Sequence, residues 1–142
     1  MNIKENLRRS LLENMEDKAS AGVLVKCTKT NHFLLLKRNS DPHKNHWSMI
    51  AGGLEGSESQ LEGLEREVME ETKIPSGKIK YTFKEESISV GGKKPFFYYE
   101  GTVDEELTPE LNDENTDFIW CSVDNLPTPM FPKTADKIKN FS

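Results

Sequence analysis

Apolar positions along the chain gather in short clusters, and their spacing predicts more strands than helices. Over residues 4–17, Leu7, Leu11, Leu12 and Met15 recur at steps of three and four, the period of an amphipathic helix. Two apolar runs follow, Ala21 to Cys27 and His32 to Arg38, separated by a polar turn from Thr28 to Asn31, and they read as paired strands. The stretch Asn39 to Asn45, rich in Asn, Asp, Pro and His, reads as a loop leading into a short strand at Trp47 to Ala51. Gly52, Gly53, Gly56 and Ser57 then form a flexible segment before a helix from about Ser59 to Thr72, with Pro75 and Gly77 supplying the stop. Further strands are expected at Ile79–Ser89 and Pro95–Val103, joined around Gly91-Gly92, and at Asp117–Ser122. A closing helix over Pro132–Phe141 carries Ala135, Ile138 and Phe141. The pattern as a whole predicts one α+β domain spanning residues 1–142, without internal repeats.

Composition agrees with a folded domain and narrows its partners. At 142 residues the chain suits a single core, and a charged fraction of 30% beside a hydrophobic fraction of 35% is that of an ordinary globular protein. A net charge of −5 argues against binding long nucleic acids, whose phosphates reward a basic face. Cys27 and Cys121 are too few for a disulfide scaffold and lack metal-ligand spacing. Neither a signal peptide nor a membrane-spanning run is legible, so a cytoplasmic protein without a membrane partner is expected.

The candidate chemistry lies in the helix over residues 59–72. At 100° per residue, Leu61, Leu64 and Val68 fall on one side, while Glu67, Glu70 and Glu71 gather on the adjacent side. Like charges at this spacing repel by roughly a few tenths of a kcal/mol per pair, and a divalent cation reverses that sign. Oxygen-rich sites of this kind suit Mg²⁺ or Mn²⁺. Taken alone, Glu65-Arg66-Glu67 reads as a solvated helix face, with Arg66 pairing to Glu62 or Glu70 one turn away. The glycines ahead of the helix change that balance, because they bring backbone groups near the carboxylate face and let a substrate approach closely at Gly52 and Gly53.

Gly52, five residues, Glu58, seven residues, Arg66-Glu67-Val68-Met69-Glu70-Glu71 and then Ile74 resemble the Nudix box. Eight of its nine defined positions match, the exception being Lys73, which stands where the family usually has glycine. The preceding Trp47-Ser48-Met49-Ile50-Ala51-Gly52 is similar to the strand that enters the box, with Ala51 and Ile50 replacing a common glycine and proline. This resemblance implies an α/β/α sandwich with a mixed β-sheet, and a hydrolase in which metal ions neutralise charge on phosphate oxygens and lower the pKa of an attacking water. It implies Glu67, Glu70 and Glu71 as metal ligands, together with the backbone carbonyl of Gly52 or Ala51. Arg66 and Glu58 would hold the loop against the helix. Glu71 or Glu67 would serve as general base, or Glu114 from outside the box, six residues before Trp120, with Asp113 and Asp117 behind it.

Arg38, at a strand end, is a candidate phosphate contact, and Phe33, Trp47 and Phe96 to Tyr99 are candidate rings for a base, although strand aromatics are commonly core. His43 and His46 read as loop residues. The expected activity is Mg²⁺-dependent pyrophosphohydrolysis of a small nucleotide-type substrate such as ADP-ribose, a dinucleoside polyphosphate or a (d)NTP. The alternatives are a catalytically silent nucleotide-binding module or an RNA-decapping enzyme. Family members are often dimers, which makes a homodimer possible.

Overall fold

The computed structural model describes residues 19–89 and 94–142. The expected helix over residues 4–17 and the Gly91-Gly92 junction lie outside the described residues.

The apolar run at Ser20–Cys27 becomes strand β1, the centre of the sheet. Strand β6 (Pro95–Val103) pairs with it in parallel along all eight of its residues, from Ser20↔Phe96 to Cys27↔Val103. The opposite edge of β1 is shared. Strand β2 (Phe33–Arg38) takes its C-terminal end through Val25↔Leu34 and Lys26↔Phe33, and β4 (Ile50–Gly53) takes its N-terminal end from Val23↔Ile50 to Ser20↔Gly53, both antiparallel. Strand β3 (Trp47–Ser48) pairs with β2, and β7 (Asn115–Cys121) lies on the other side of β2. Strand β5 (Lys80–Ile88) pairs antiparallel with β6 at the sheet's far edge. Among the described residues these strands make one mixed sheet.

Three sequence expectations are corrected by this pairing. The single strand expected at Trp47–Ala51 is two, because the chain steps from β2 to β1 at Met49. Gly52 and Gly53 consequently belong to β4 and are held by its ladder rather than lying in a flexible segment. Strand β7 begins at Asn115, two residues ahead of the expected Asp117, because a register shift between Lys37 and Arg38 lets Asn115 pair with Arg38.

The side chains of β1 and β2 alternate between two cores, as pleating requires. One face carries Val23, Val25, Leu34 and Leu36; the other carries Leu24, Phe33 and Leu35. Burial on both faces accounts for the nearly uninterrupted apolar character of these runs. Helix α1 (Gln60–Thr72) covers the first face with Leu64 and Val68, and helix α2 (Thr134–Phe141) covers the second with Ile138. Each of these fully buried side chains contributes roughly 1.5–3 kcal/mol. The result is the helix, sheet and helix sandwich expected from the box. No helix among the described residues is long and apolar enough to cross a membrane.

Helix α1 begins where Ser59 and Glu62 form a reciprocal cap: Glu62 N–H donates to Ser59 Oγ at 3.2 Å, and Ser59 N–H donates to Glu62 Oε1 at 3.0 Å. Its buried stripe differs from the apolar one read from periodicity. Leu61 is exposed, whereas Gly63, Leu64, Glu67, Val68, Glu71 and Thr72 face inward, so two carboxylates share the buried side with the apolar anchors.

The helix ends at Lys73, whose φ of 61° and ψ of 13° are left-handed, with its N–H donating to Met69 O at 3.0 Å. This explains why glycine suits the position: a side chain there costs about 1–2 kcal/mol of steric strain, partly offset by the larger unfolded-state entropy of glycine. Lys73→Gly is therefore expected to raise unfolding stability by about 0.5–1 kcal/mol. Urea unfolding checks it, and unchanged or lower stability would show that the cap is unstrained.

Candidate active site

Glu67 and Glu71 lie one turn apart on the inward side of α1, with relative exposures of 7% and 4%. Glu67 owes its place to β4. A Cβ built on Gly52 would overlap the Glu67 carboxyl group, so only glycine lets the helix and strand approach this closely.

Arg66 ties the segment between β4 and α1 to the helix. Its Nε and Nη2 donate to Glu58 Oε2 and Oε1 at 3.1 and 2.8 Å, and Nη2 also donates to Gly53 O at 2.9 Å. Nη1 lies 3.1 Å from Glu67 and 3.2 Å from Glu70. A two-pronged guanidinium–carboxylate pair of this kind fixes orientation as well as charge. The Arg66 hydrogen bonds hold the Glu58 carboxyl below the usual carboxylate range, and Glu58 in turn keeps Arg66 firmly protonated. Glu58 Oε1 also accepts the N–H of Glu55, which closes the turn.

Glu71 has no such cation. Asn115 Nδ2 donates to its Oε1 at 2.9 Å, while Oε2 is buried with no hydrogen-bond partner. Burial pushes its carboxyl up to about 9, with Glu114 and Glu67 adding to the rise against the opposing Asn115 hydrogen bond. Burial also raises Glu67, against the pull of Arg66.

The third member arrives from the loop ahead of β7. Glu114 is exposed, and one carboxylate oxygen from each of Glu67, Glu71 and Glu114 lies within 4.8 Å of the others. Its loop is pinned by Asn39, which donates from its backbone N–H to Glu114 O and from Nδ2 to Asp113 O, each at 3.0 Å. Asn112 Oδ1 accepts the Glu114 N–H, also at 3.0 Å. Glu70 stays outside this trio, half exposed on Arg66, so the helix contributes two of the converging carboxylates and the β7 loop the third. Among the nearby acids, Asp117 accepts the N–H of Phe118 and Asp113 is exposed. An all-oxygen set with an unpartnered buried carboxylate oxygen fits a hard divalent cation.

Arg38 stands beside the trio at the end of β2. Its Nη2 donates to Pro42 O at 3.0 Å, its guanidinium lies 5.0 Å from the Phe131 ring centroid, and its Nε is buried without a partner. A cleft of about 120 Å³ joins Arg38 to Ala51, Glu71, Glu114 and Asn115. A larger cavity of about 380 Å³ opens alongside and includes Gly52 and Gly53 in its wall. Of the candidate rings, Phe96 lines this cavity, whereas Phe33 is fully buried in the core. His43 and His46 pack edge to face at 5.1 Å in the loop after β2, outside the carboxylate group.

Residue reading from sequence missed Asn115 and Asn39. Both are neutral amides in turn-rich stretches, and their only signal was adjacency to Glu114 and Arg38. Phe131 was missed for a similar reason, lying just before the closing helix.

A mixed sheet between two helices, with a carboxylate cluster where a glycine-bearing strand meets a helix, defines a class of fold and site, and comparison identifies it. A model of the NUDIX domain matches residues 17–141, so the chain belongs to the Nudix family and is a Nudix hydrolase. Solved structures agree on the fold. A C. elegans Ap4A hydrolase is 22% identical, with 86% of this chain and 94% of that one covered at a TM-score of 0.67. The NUDIX domain of Shewanella oneidensis NrtR, complexed with ADP ribose, is 16% identical, with 99% and 97% covered at 0.72. A MutT protein from Methanosarcina mazei is 27% identical, with 87% and 91% covered at 0.63. No curated protein matches the sequence.

The raised carboxyls set a pH dependence. A folded-state pKa above the unfolded one means that the folded chain holds the extra proton, so the contribution is complete below pH 4.5 and is lost as pH rises from there through about 9. Metal-free protein is expected to lose roughly 1–3 kcal/mol between pH 6 and 9. Glu71→Gln should flatten that loss, read from chemical unfolding in the presence of a chelator. An equally steep decline in the variant would contradict the assignment to Glu71.

Proposed function

We propose that the chain is a divalent-cation-dependent pyrophosphohydrolase, using Mg²⁺ or Mn²⁺, that cleaves the diphosphate linkage of a nucleoside diphosphate derivative. The observation that carries this reading is the convergence of Glu67, Glu71 and Glu114 around the unpartnered Oε2 of Glu71. Glu67 and Glu71 would hold the cation, and Glu114 would face it from the β7 loop. Bound there, the cation supplies positive charge for the phosphate oxygens and lowers the pKa of a water.

The chain's own groups supply orientation and proton transfer. Asn115 keeps one oxygen of Glu71 engaged, which turns the other toward the cleft. Arg66 offsets the charge of Glu67 and Glu70 and holds Gly53 against the helix. Arg38, with an unused Nε at the cleft wall, is placed to meet a phosphate. Glu114 is exposed and anchored through its backbone, so its carboxylate is the group best suited to accept a proton from water. The net charge of −5 favours a small nucleotide over long RNA. The Ap4A hydrolase, the ADP-ribose complex and an E. coli dihydroneopterin triphosphate pyrophosphohydrolase of the same fold support a substrate class spanning ADP-ribose, dinucleoside polyphosphates and (d)NTP-like compounds.

The test is release of AMP or phosphate from such a panel with and without Mg²⁺. Cation-dependent turnover is expected, falling by roughly two orders of magnitude or more in Glu71→Gln. Glu114→Gln should remove the acid limb of the pH–rate profile. Nucleotide binding without any turnover would instead favour a silent binding module.

A further inference from the structure

The 380 Å³ cavity beside the carboxylate trio carries charge of the opposite sign. Arg38, Lys94, Lys133 and Lys137 line it and, among the described residues, no Asp or Glu does, in a chain with 24 acidic and 19 basic residues. Its walls otherwise include Met49, Phe96 and Phe131. The volume lies toward the lower end of small-molecule sites, about 300–1,000 Å³, and suits one nucleoside-sized group.

The four cations are not equivalent. Arg38 borders both the cavity and the smaller cleft that holds Glu71 and Glu114, so under the proposed reading it would meet the scissile diphosphate. Lys137 is partly committed, with its Nζ 2.9 Å from Glu85 and 4.1 Å from the Tyr98 ring centroid. Lys94 and Lys133 border the cavity but not the cleft, and neither forms an ion pair among the described residues. A diphosphate lying at the carboxylates would leave these two facing the part of the substrate beyond the bond being cut.

We infer that the substrate carries a further phosphate beyond the scissile diphosphate, seated against Lys94 and Lys133 while the attached ring system packs on Phe96 and Phe131. This rests on the proposed pyrophosphohydrolase reading and specifies its substrate class. That phosphate has two chemical sources, a phosphorylated ribose or a continuing polyphosphate chain. The shared requirement is an anion at the cavity's basic rim.

Two substrate pairs separate the sources. NADPH and NADH differ by one ribose phosphate, and diadenosine tetraphosphate and diadenosine diphosphate differ in chain length. With Mg²⁺, the wild-type protein is expected to favour the phosphate-richer member of one pair by about tenfold or more in kcat/KM. The preferred pair identifies the source. In a Lys94→Gln, Lys133→Gln double variant the ratio should fall toward one, and Lys94→Arg with Lys133→Arg should restore it. Calorimetric Kd values for the same pairs, measured on Glu71→Gln protein, read the cavity without turnover. Preferential binding there in the absence of hydrolysis by wild type would support the cavity and overturn only the activity. Ratios near one in both pairs, by rate and by Kd, or a preference unchanged in the double glutamine variant, would overturn the inference.

Discussion

The constraint on which the site depends is the burial of two carboxylates one helical turn apart, of which only Glu67 meets a side-chain cation. Arg66 answers Glu67, but Glu71 has an amide on one oxygen and nothing on the other. Desolvation of that kind is unfavourable unless a proton or a metal neutralises the charge. The surrounding structure accommodates it in stages. Gly52 leaves room for the Glu67 carboxyl, Leu64 and Val68 anchor the helix that carries both acids, and Arg66 with Glu58 locks the preceding turn. A favourable core thus holds an unfavourable charge arrangement in place, which is how strained electrostatics are retained at functional sites.

Much of this was legible in the sequence because burial and capping leave local marks. The runs at Ala21 to Cys27 and His32 to Arg38 are apolar on both faces because helices cover both sides of the sheet, and Ser59 with Glu62 marks the start of α1. Lys73, the irregular position of the box, proved to be the left-handed cap for which glycine is suited. What escaped was set by partners distant in the chain. Nothing local says that Met49 steps from one strand's edge to another's, or that a register shift at Lys37 brings Asn115 into β7. Helical period places Glu70 beside Glu67 and Glu71, and the fold adds two partners it could not show: Arg66 pairs with Glu70, and Glu114 approaches Glu67 and Glu71 from the β7 loop.

The charge pattern of the finished site has two parts that share a wall. An acidic corner suits a cation, and a basic, partly aromatic cavity suits an anionic ligand, with Arg38 between them. The same geometry explains why the cleft includes Ala51 and Asn115: a small side chain keeps the passage open, and the amide aligns Glu71 without adding charge.

Carboxylates that form one cation site should bind Mn²⁺ titrated into chelator-treated protein, followed by electron paramagnetic resonance. Saturable binding is expected for the wild-type chain, weakening by roughly tenfold or more in Glu71→Gln, with the folded structure retained by circular dichroism. Mn²⁺ affinity equal in wild type and Glu71→Gln would contradict a site of that kind.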